Sequence, residues 1–235
     1  MTMLKLLKEN KLGMILALIT AFFITLTGII FKQDVIRIIP LYVSLTVGLL
    51  QSSANRYASL IGGINSILYA VVYFMLDLPA NAAQAILFSC PMQLVTFVRW
   101  SKNSYRTSTR FRRMTQKQRL FVTVLFVVCF IVLHAVLKYL GSANQLLDNL
   151  SSLLGTLILI LTMFAYIEYT WLMLPSGVLS IMLNIATMLT HPGQITYVVF
   201  SIYSLICVTR GFFSVRRLYA EQLASDSTAD KVKKK

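Results

Sequence analysis

Residues 60–103 read LIGGINSILYAVVYFMLDLPANAAQAILFSCPMQLVTFVRWSKN. Two apolar runs meet in this stretch, 57–76 and 79–98, parted at Asp77. Each is long enough to cross a bilayer, which takes about 20 mostly apolar residues as a helix. Working outward, runs of the same kind fall at 12–31, 38–55, 120–140, 149–167, 170–190 and 194–212, so eight spans are predicted. Asn55-Arg56-Tyr57 is the sole polar break between the second and third, and a very tight turn is expected there. The first run is too long for a signal-peptide core. It is followed by Phe31-Lys32-Gln33-Asp34 rather than by a small-residue cleavage site, and is read as a leading helix.

Composition agrees with this reading. Of 235 residues, 57% are hydrophobic and 13% charged, and mean hydropathy is +0.73. A soluble domain carries about 25% charge. One soluble core of this length cannot hide so much apolar surface, so lipid is the solvent; a soluble enzyme, a secreted disulfide scaffold and a disordered chain are excluded. Cys90, Cys129 and Cys207 each lie inside an apolar run without a CxxC and are read as small buried hydrophobes. His134 and His191 have no Cys or His nearby, so no metal site and no cofactor are expected.

Charge sets the orientation. With eight spans both termini share one side. That side carries 19 of the 22 basic residues, and the other carries Lys32, Arg37 and Lys138. Basic residues accumulate on the cytoplasmic side, so both termini are placed in the cytoplasm. The loop 99–119, RWSKNSYRTSTRFRRMTQKQR, is read as a topogenic loop that touches anionic headgroups rather than as a nucleic-acid site. The polar end of the tail, from Ser225, is expected to be disordered.

An internal repeat is visible. GGINSIL at 62–68 matches SGVLSIM at 176–182 at an offset of 114, and both copies hold a small-xxx-small pair, Gly62/Ser66 and Ser176/Ser180. Such pairs let helix backbones approach closely in a membrane. Pro79, Asn81 and Gln84 match Pro192, Gln194 and Tyr197 at an offset of 113. The copies lie four spans apart and run the same way. The layout is then a 1–37 segment with the leading helix, a three-helix repeat at 38–98, a basic loop and connector helix at 99–148, a second three-helix repeat at 149–212 and a basic tail at 213–235. This 3+1+3 arrangement of parallel repeats is a transporter architecture, with substrate near the midplane between the repeats.

Polar side chains in lipid turn inward and mark paths. Asn65, Tyr69 and Tyr73 share a face of the third span. Asn81 and Gln84 lie on one face of the fourth span, and Ser89, Gln93 and Thr96 on another. Gln84 and Gln93 are nine residues apart, about 900° of rotation, so a straight helix sets them on opposite sides unless Pro91 kinks it. Asp148, Ser152, Gly155 and Thr162 align in the sixth span, and Gln194, Tyr197, Ser201 and Ser204 in the eighth. Amides with aromatic rings suit a neutral, planar, hydroxylated ligand. The alternative role for each is interhelical hydrogen bonding. Asp77, Asp148 and Glu168 fall at span ends, where hydration lowers the cost of charge. Trp100 and Trp171 fall there too, as an interfacial aromatic belt would place them. No GxSxG, HExxH, Walker loop or paired-Asp metal motif is present, so the chain is not read as an enzyme.

The stretch 60–103 resembles the PnuC family of vitamin transporters in its G-x-x-x-S-x-x-Y, its Pro-Met-Gln at 91–93 and its closing Trp100 with a basic loop. Residues 146–171, LLDNLSSLLGTLILILTMFAYIEYTW, resemble the opening of that family's second half. The resemblance implies a SWEET-like all-α bundle in the plasma membrane. It implies uptake of a neutral nucleoside-like vitamin, nicotinamide riboside first, by facilitated diffusion, with a cytoplasmic kinase trapping the substrate. It carries substrate contacts to Asn65, Tyr69, Gln84 and Gln93, to Trp171, and to Gln194 and Tyr197 on the polar face of the eighth span. Two departures widen the substrate range. Phe97-x-x-Trp100 stands where riboside carriers often have W-x-x-W, and the early seventh span, Leu174 to Val178, lacks a second Trp and an Asn or Asp. Thiamine, riboflavin and deoxynucleosides stay as alternatives, as does a membrane scaffold without substrate. The expected partners are a small-molecule substrate, the bilayer and a cytoplasmic kinase, with a homo-oligomer left open and nucleic acid excluded.

Overall fold

The computed structural model describes residues 11–140 and 145–233, with side chains for 11–139 and 145–227. Of the basic residues counted above, Lys5, Lys8, Lys234 and Lys235 lie outside the described residues. Among the described residues eight helices are long and apolar enough to cross a membrane. They are α1 (Lys11–Ile30), α2 (Val35–Ser52), α3 (Tyr57–Met75), α4 (Pro79–Lys102), α5 (Gln116–Leu140), α6 (Gln145–Met163), α7 (Tyr169–Met188) and α8 (Ile195–Lys233). A two-stranded hairpin, β1 (Ser104–Tyr105) with β2 (Ser108–Thr109), lies between α4 and α5. The chain is an all-α multi-pass membrane protein.

Six helices close a ring in the order α2, α3, α4, α6, α7, α8 and back to α2. Helix α1 packs outside the ring on α8 and α2, and α5 packs outside it on α6 and the start of α4. Small residues set the closest approaches. A Cβ at Gly62 would strike the Gln93 side chain of α4, and one at Gly177 would come 2.8 Å from Leu205 of α8. Hydroxyls cross the same two seams: Ser66 meets Ser89 at 2.7 Å, and Ser180 meets Ser201 at 3.4 Å. Helix α5 stands apart, since Leu137 is its one buried residue among those described.

Helix α4 is not regular. A π-helical segment, Gln84–Ser89, precedes Pro91. Proline lacks an N–H and its ring crowds the carbonyl four residues back, and widening the preceding turn accommodates both. Gln84 and Gln93 still face different neighbours: Gln84 lies against Gly155 of α6, and Gln93 against Ser66 and Gly62 of α3.

Three expectations change. Asp148 is not hydrated but fully buried. It accepts the backbone N–H of Ala80 at 3.2 Å and of Asn81 at 3.1 Å, and the Asn81 side-chain amide. The first turn of α4 has free N–H groups and a positive dipole end, and a carboxylate satisfies both. Trp100 is not in an outer belt: it is 4% exposed, donates to the Thr162 carbonyl at 2.9 Å and packs edge-on against Phe111. Trp171 is 55% exposed, as a belt residue would be. The tail is helical through Lys233. Val215 and Gln222 fix its preceding turns by packing, and once a helix is nucleated each further residue adds a hydrogen bond.

The basic loop is folded into a clasp. Arg56 N–H donates to Thr107 O at 3.1 Å, Arg112 N–H to Ala165 O at 3.0 Å, and Ile167 N–H to Arg112 O at 2.9 Å. Gln222 of α8 accepts from Phe111 N–H at 3.0 Å and donates to Thr109 O at 2.9 Å. The α2–α3 turn, the basic loop, the α6–α7 turn and the end of α8 therefore meet at one end of the bundle.

Two outcomes are expected. In a background without native cysteines, a Cys at Asp34 should react with an impermeant thiol reagent on intact cells, and one at Lys117 only after permeabilisation; both positions are exposed, whereas Ser108 is buried and would report nothing. The opposite pattern would invert the orientation drawn from the charges. Asp148→Ala should cost about 3 kcal/mol, the range for hydrogen bonds to a charged group. That is a fall in thermal midpoint on the order of 10 °C, with Asp148→Asn falling less because one acceptor oxygen is kept.

Candidate functional site

Inside the ring lie two cavities that share Gln51 of α2. The first, of about 180 Å³, is lined by Ser44, Gly48 and Gln51 of α2, Tyr69 and Tyr73 of α3, Ser180 and Asn184 of α7, and Tyr197, Phe200, Ser201 and Ser204 of α8. The second, of about 80 Å³, lies nearer the basic end. Gln51, Asn55, Ser59, Gln93, Thr96, Trp100, Thr162, Tyr169 and Gly211 line it. Neither has a charged side chain in its lining.

Hydrogen bonds fix the polar groups. Asn65 donates to Pro40 O and to Ser44 Oγ, each at 2.9 Å, and Ser44 Oγ meets Tyr69 OH at 2.9 Å. The Asn65 Oδ1 is buried without a partner. On the opposite wall Arg37 donates to Gln194 Oε1 at 3.3 Å, Gln194 Nε2 to Asn184 Oδ1 at 2.7 Å, and Asn184 Nδ2 to Ser201 Oγ at 2.7 Å. Tyr197 OH donates to Arg37 O at 2.6 Å. Tyr69 stacks on Tyr73 at 5.7 Å between centroids and meets Tyr197 edge-on at 6.4 Å. Three aromatic rings thus adjoin hydroxyls and an amide, a set that can stack on a flat ring and pair with its hydroxyls or carboxamide.

The structure sorts the residues singled out from the sequence. Tyr69 and Tyr197 face each other across the larger cavity. Asn65 and Gln194 stand one hydrogen bond behind it, through Ser44 and Asn184. Gln93 lines the smaller cavity, where its Nε2 donates to Ser89 at 2.7 Å and to Ser66 at 3.2 Å. Gln84 faces α6, and Trp171 lies outside the ring, edge-on to Phe212 at 4.9 Å. Asn184 and Ser44 escape the sequence reading. Ser44 stands among the small polar residues of α2, and Asn184 continues the four-residue spacing of Ser176 and Ser180 in α7, the signal that could have found it.

Six apolar helices around an uncharged polar interior, with two more packed outside, define a polytopic helical membrane protein. The chain belongs to the nicotinamide mononucleotide transporter family, whose model matches residues 34–213. The crystal structure of the vitamin B3 transporter PnuC is similar in fold, with a TM-score of 0.75 at 19% identity over 89% of this chain and 92% of that one. No curated protein matches the chain.

Asn184→Leu and Tyr69→Phe should each weaken ligand binding, measured by calorimetric titration against a panel of nucleosides and vitamins. Losing a buried hydrogen-bond partner costs about 1–3 kcal/mol, or roughly 5- to 150-fold. Gln84→Leu and Trp171→Phe should change affinity less than about twofold, within the reach of a surface substitution. Unchanged affinity in the first pair, with normal expression, would return those residues to helix packing.

Proposed function

We propose that the chain is a uniporter for uptake of a nucleoside-like vitamin, nicotinamide riboside first, across the plasma membrane, with both termini in the cytoplasm. It performs no chemistry, and a cytoplasmic kinase traps what enters. Membership of the family and the likeness to a vitamin B3 transporter support the substrate class. The observation that carries the choice within it is the uncharged lining of both cavities. A mononucleotide brings a phosphate of about −1.5 to −2 charge, and a phosphate in that lining would lack a cation. The riboside lacks it. Its pyridinium ring makes the riboside a cation, so the charge it brings to the lining is positive rather than negative. The faces of Tyr69, Tyr73 and Tyr197 suit such a ring by cation–π attraction. Thiamine, riboflavin and deoxynucleosides fit the same lining less directly and form the rest of the panel.

The larger cavity, about 180 Å³, is smaller than the roughly 300–1,000 Å³ of ordinary ligand pockets. A nucleoside therefore enters by moving α2 and α3 relative to α7 and α8, as alternating access between repeats requires. No energy coupling is proposed. A symporter places a carboxylate or broken-helix ion site near the midplane. Among the described residues the fully buried carboxylate, Asp148, lies in the first turn of α6 and is bonded to the start of α4, and the midspan histidine, His134, is on α5 outside the ring, stacked on Phe130 at 6.0 Å.

Uptake into proteoliposomes without an internal enzyme tests this. A cationic riboside responds to membrane potential by about 2.3 kcal/mol per 100 mV, so the potential is clamped at zero. Uptake should then plateau at the external concentration and show counterflow, and an imposed proton or sodium gradient should not raise the plateau. Accumulation above the external concentration that His134→Ala abolishes would replace uniport with coupled transport. Absence of both uptake and binding for the whole panel would leave the scaffold reading.

A further inference from the structure

A larger cavity lies outside the ring, at the basic end. It has about 650 Å³ and opens where α5 meets α6, the start of α7 and the extension of α8. It shares no lining residue with the two cavities inside the ring. Its rim is basic: Arg113 before α5, Arg119 in its first turns and Arg216 on α8. Arg119 pairs with Glu168 at 2.7 Å. Among the described residues no carboxylate pairs with Arg113 or Arg216, which leaves two uncompensated positive charges. The Arg216 guanidinium is held in place by aromatic faces, 4.3 Å from the Trp171 centroid and 4.5 Å from that of Phe212.

Below the rim the walls are apolar: Val122 and Phe126 on α5, and Leu154, Leu157 and Leu161 on α6. Arg119 to Phe126 and Leu154 to Leu161 each span seven residues, about 10 Å of helix rise. One leaflet of hydrocarbon is about 15 Å deep, half of the ~30 Å core. The cavity is thus a crevice with cations at headgroup level, an exposed tryptophan beside them and an apolar wall running most of the way through one leaflet. A soluble ligand would need the polar rim and leave the apolar wall wet. A neutral lipid would fill the wall and leave two arginines unanswered.

We propose that this crevice seats one anionic glycerophospholipid of the adjoining leaflet, its phosphate at the Arg113/Arg216 rim and an acyl chain along Phe126, Leu154 and Leu157. Basic pockets between spanning helices at the cytoplasmic surface are a recurring form of headgroup recognition. The lipid answers a mechanical need as well. Helix α5 buries one described residue, so an acyl chain between α5 and α6 supplies packing that the protein itself leaves out.

Thermal unfolding of the full chain in a neutral detergent tests the proposal. Dioleoyl-phosphatidylglycerol should raise the midpoint by a few degrees, on the order of 5 °C, and dioleoyl-phosphatidylcholine should not. Glycerol phosphate without acyl chains should give no shift. Arg113→Gln with Arg216→Gln should abolish the phosphatidylglycerol shift. Lys102→Gln with Lys117→Gln, an equal charge loss at the same end, should retain it. If the first pair fails to fold, native mass spectrometry of Arg216→Lys should show fewer retained phosphatidylglycerol molecules, since lysine keeps the charge and loses the planar stacking. Equal loss in both double variants would mean diffuse attraction to a basic surface and overturn the site. So would a shift with phosphatidylcholine as large as with phosphatidylglycerol, or a shift that appears only together with a doubling of particle mass, which would put a second copy of the chain in the crevice.

Discussion

Lipid tails cannot hydrogen-bond, so every polar group inside the bilayer must find its partner within the protein. That constraint organises this structure. The amides and hydroxyls of α2, α3, α7 and α8 turn into the ring and pair in two short chains, Asn65–Ser44–Tyr69 and Arg37–Gln194–Asn184–Ser201. The outer faces are left to Leu, Ile, Val and Phe. Interhelical hydrogen bonds in membranes are worth about 0.6 kcal/mol each on average, so neither chain locks the ring. Both hold polar groups in place without preventing their exchange for the hydroxyls of a substrate. Under the proposed function the same side chains serve helix packing and ligand binding, since both roles draw on the same donors and acceptors.

Much of the fold was legible because hydropathy reports directly on lipid exposure. Runs of about 20 apolar residues and the side carrying the basic residues needed no tertiary knowledge. The site was legible in part. Tyr69 and Tyr197 stand on polar helical faces whose periodicity points inward. Gln84 shares a face with Asn81 as the periodicity says, but that face meets α6, where Asn81 bonds Asp148 and Gln84 lies against Gly155; periodicity gives the face and not the neighbour that covers it. Asn184 follows Ser176 and Ser180 at four-residue spacing, but those small hydroxyl residues read as a helix seam, so the face was assigned to packing. Asp148 was misjudged for a different reason: its partners, the first N–H groups of α4, lie 67 and 68 residues away. A helix end that attracts a carboxylate is invisible until the chain brings the two together.

The basic loop shows how one sequence feature can serve two purposes. Its eight basic residues carry most weight in the orientation expected from the sequence. Its backbone then joins the α2–α3 turn, the α6–α7 turn and α8 through Thr107, Arg112 and Gln222. Side chains of Arg106 and Arg112 reach outward to Glu221 and to the Tyr166 ring. The sequence reading of this stretch rests on its charge and is silent about hydrogen bonds, since a stretch rich in Ser, Thr and Arg reads as a loop whether or not it folds.

The end away from the clasp is held by two joints of unequal strength. At one, the buried Asp148 of α6 grips the first turn of α4 through two backbone N–H groups and Asn81. At the other, the start of α2 meets the start of α8 through Gln33 on the Gly193 carbonyl and Arg37 on Gln194. Asp34 stands 114 residues before Asp148, the offset of the repeat, yet it is exposed and caps nothing. A carboxylate on helix N–H groups is about twice as strong as a bond between neutral groups, and breaking it strands a buried charge. The α2–α8 joint rests on neutral acceptors, the Gln194 amide and the carbonyls of Gly193 and Arg37, the last bonded by Tyr197, and on a half-buried guanidinium that water can solvate as it parts. Separation of the ring at this end therefore meets less resistance between α2 and α8, the two helices that carry Ser44 and Tyr197 on the wall of the larger cavity. Two positions one repeat offset apart in the sequence thus hold their helices unequally.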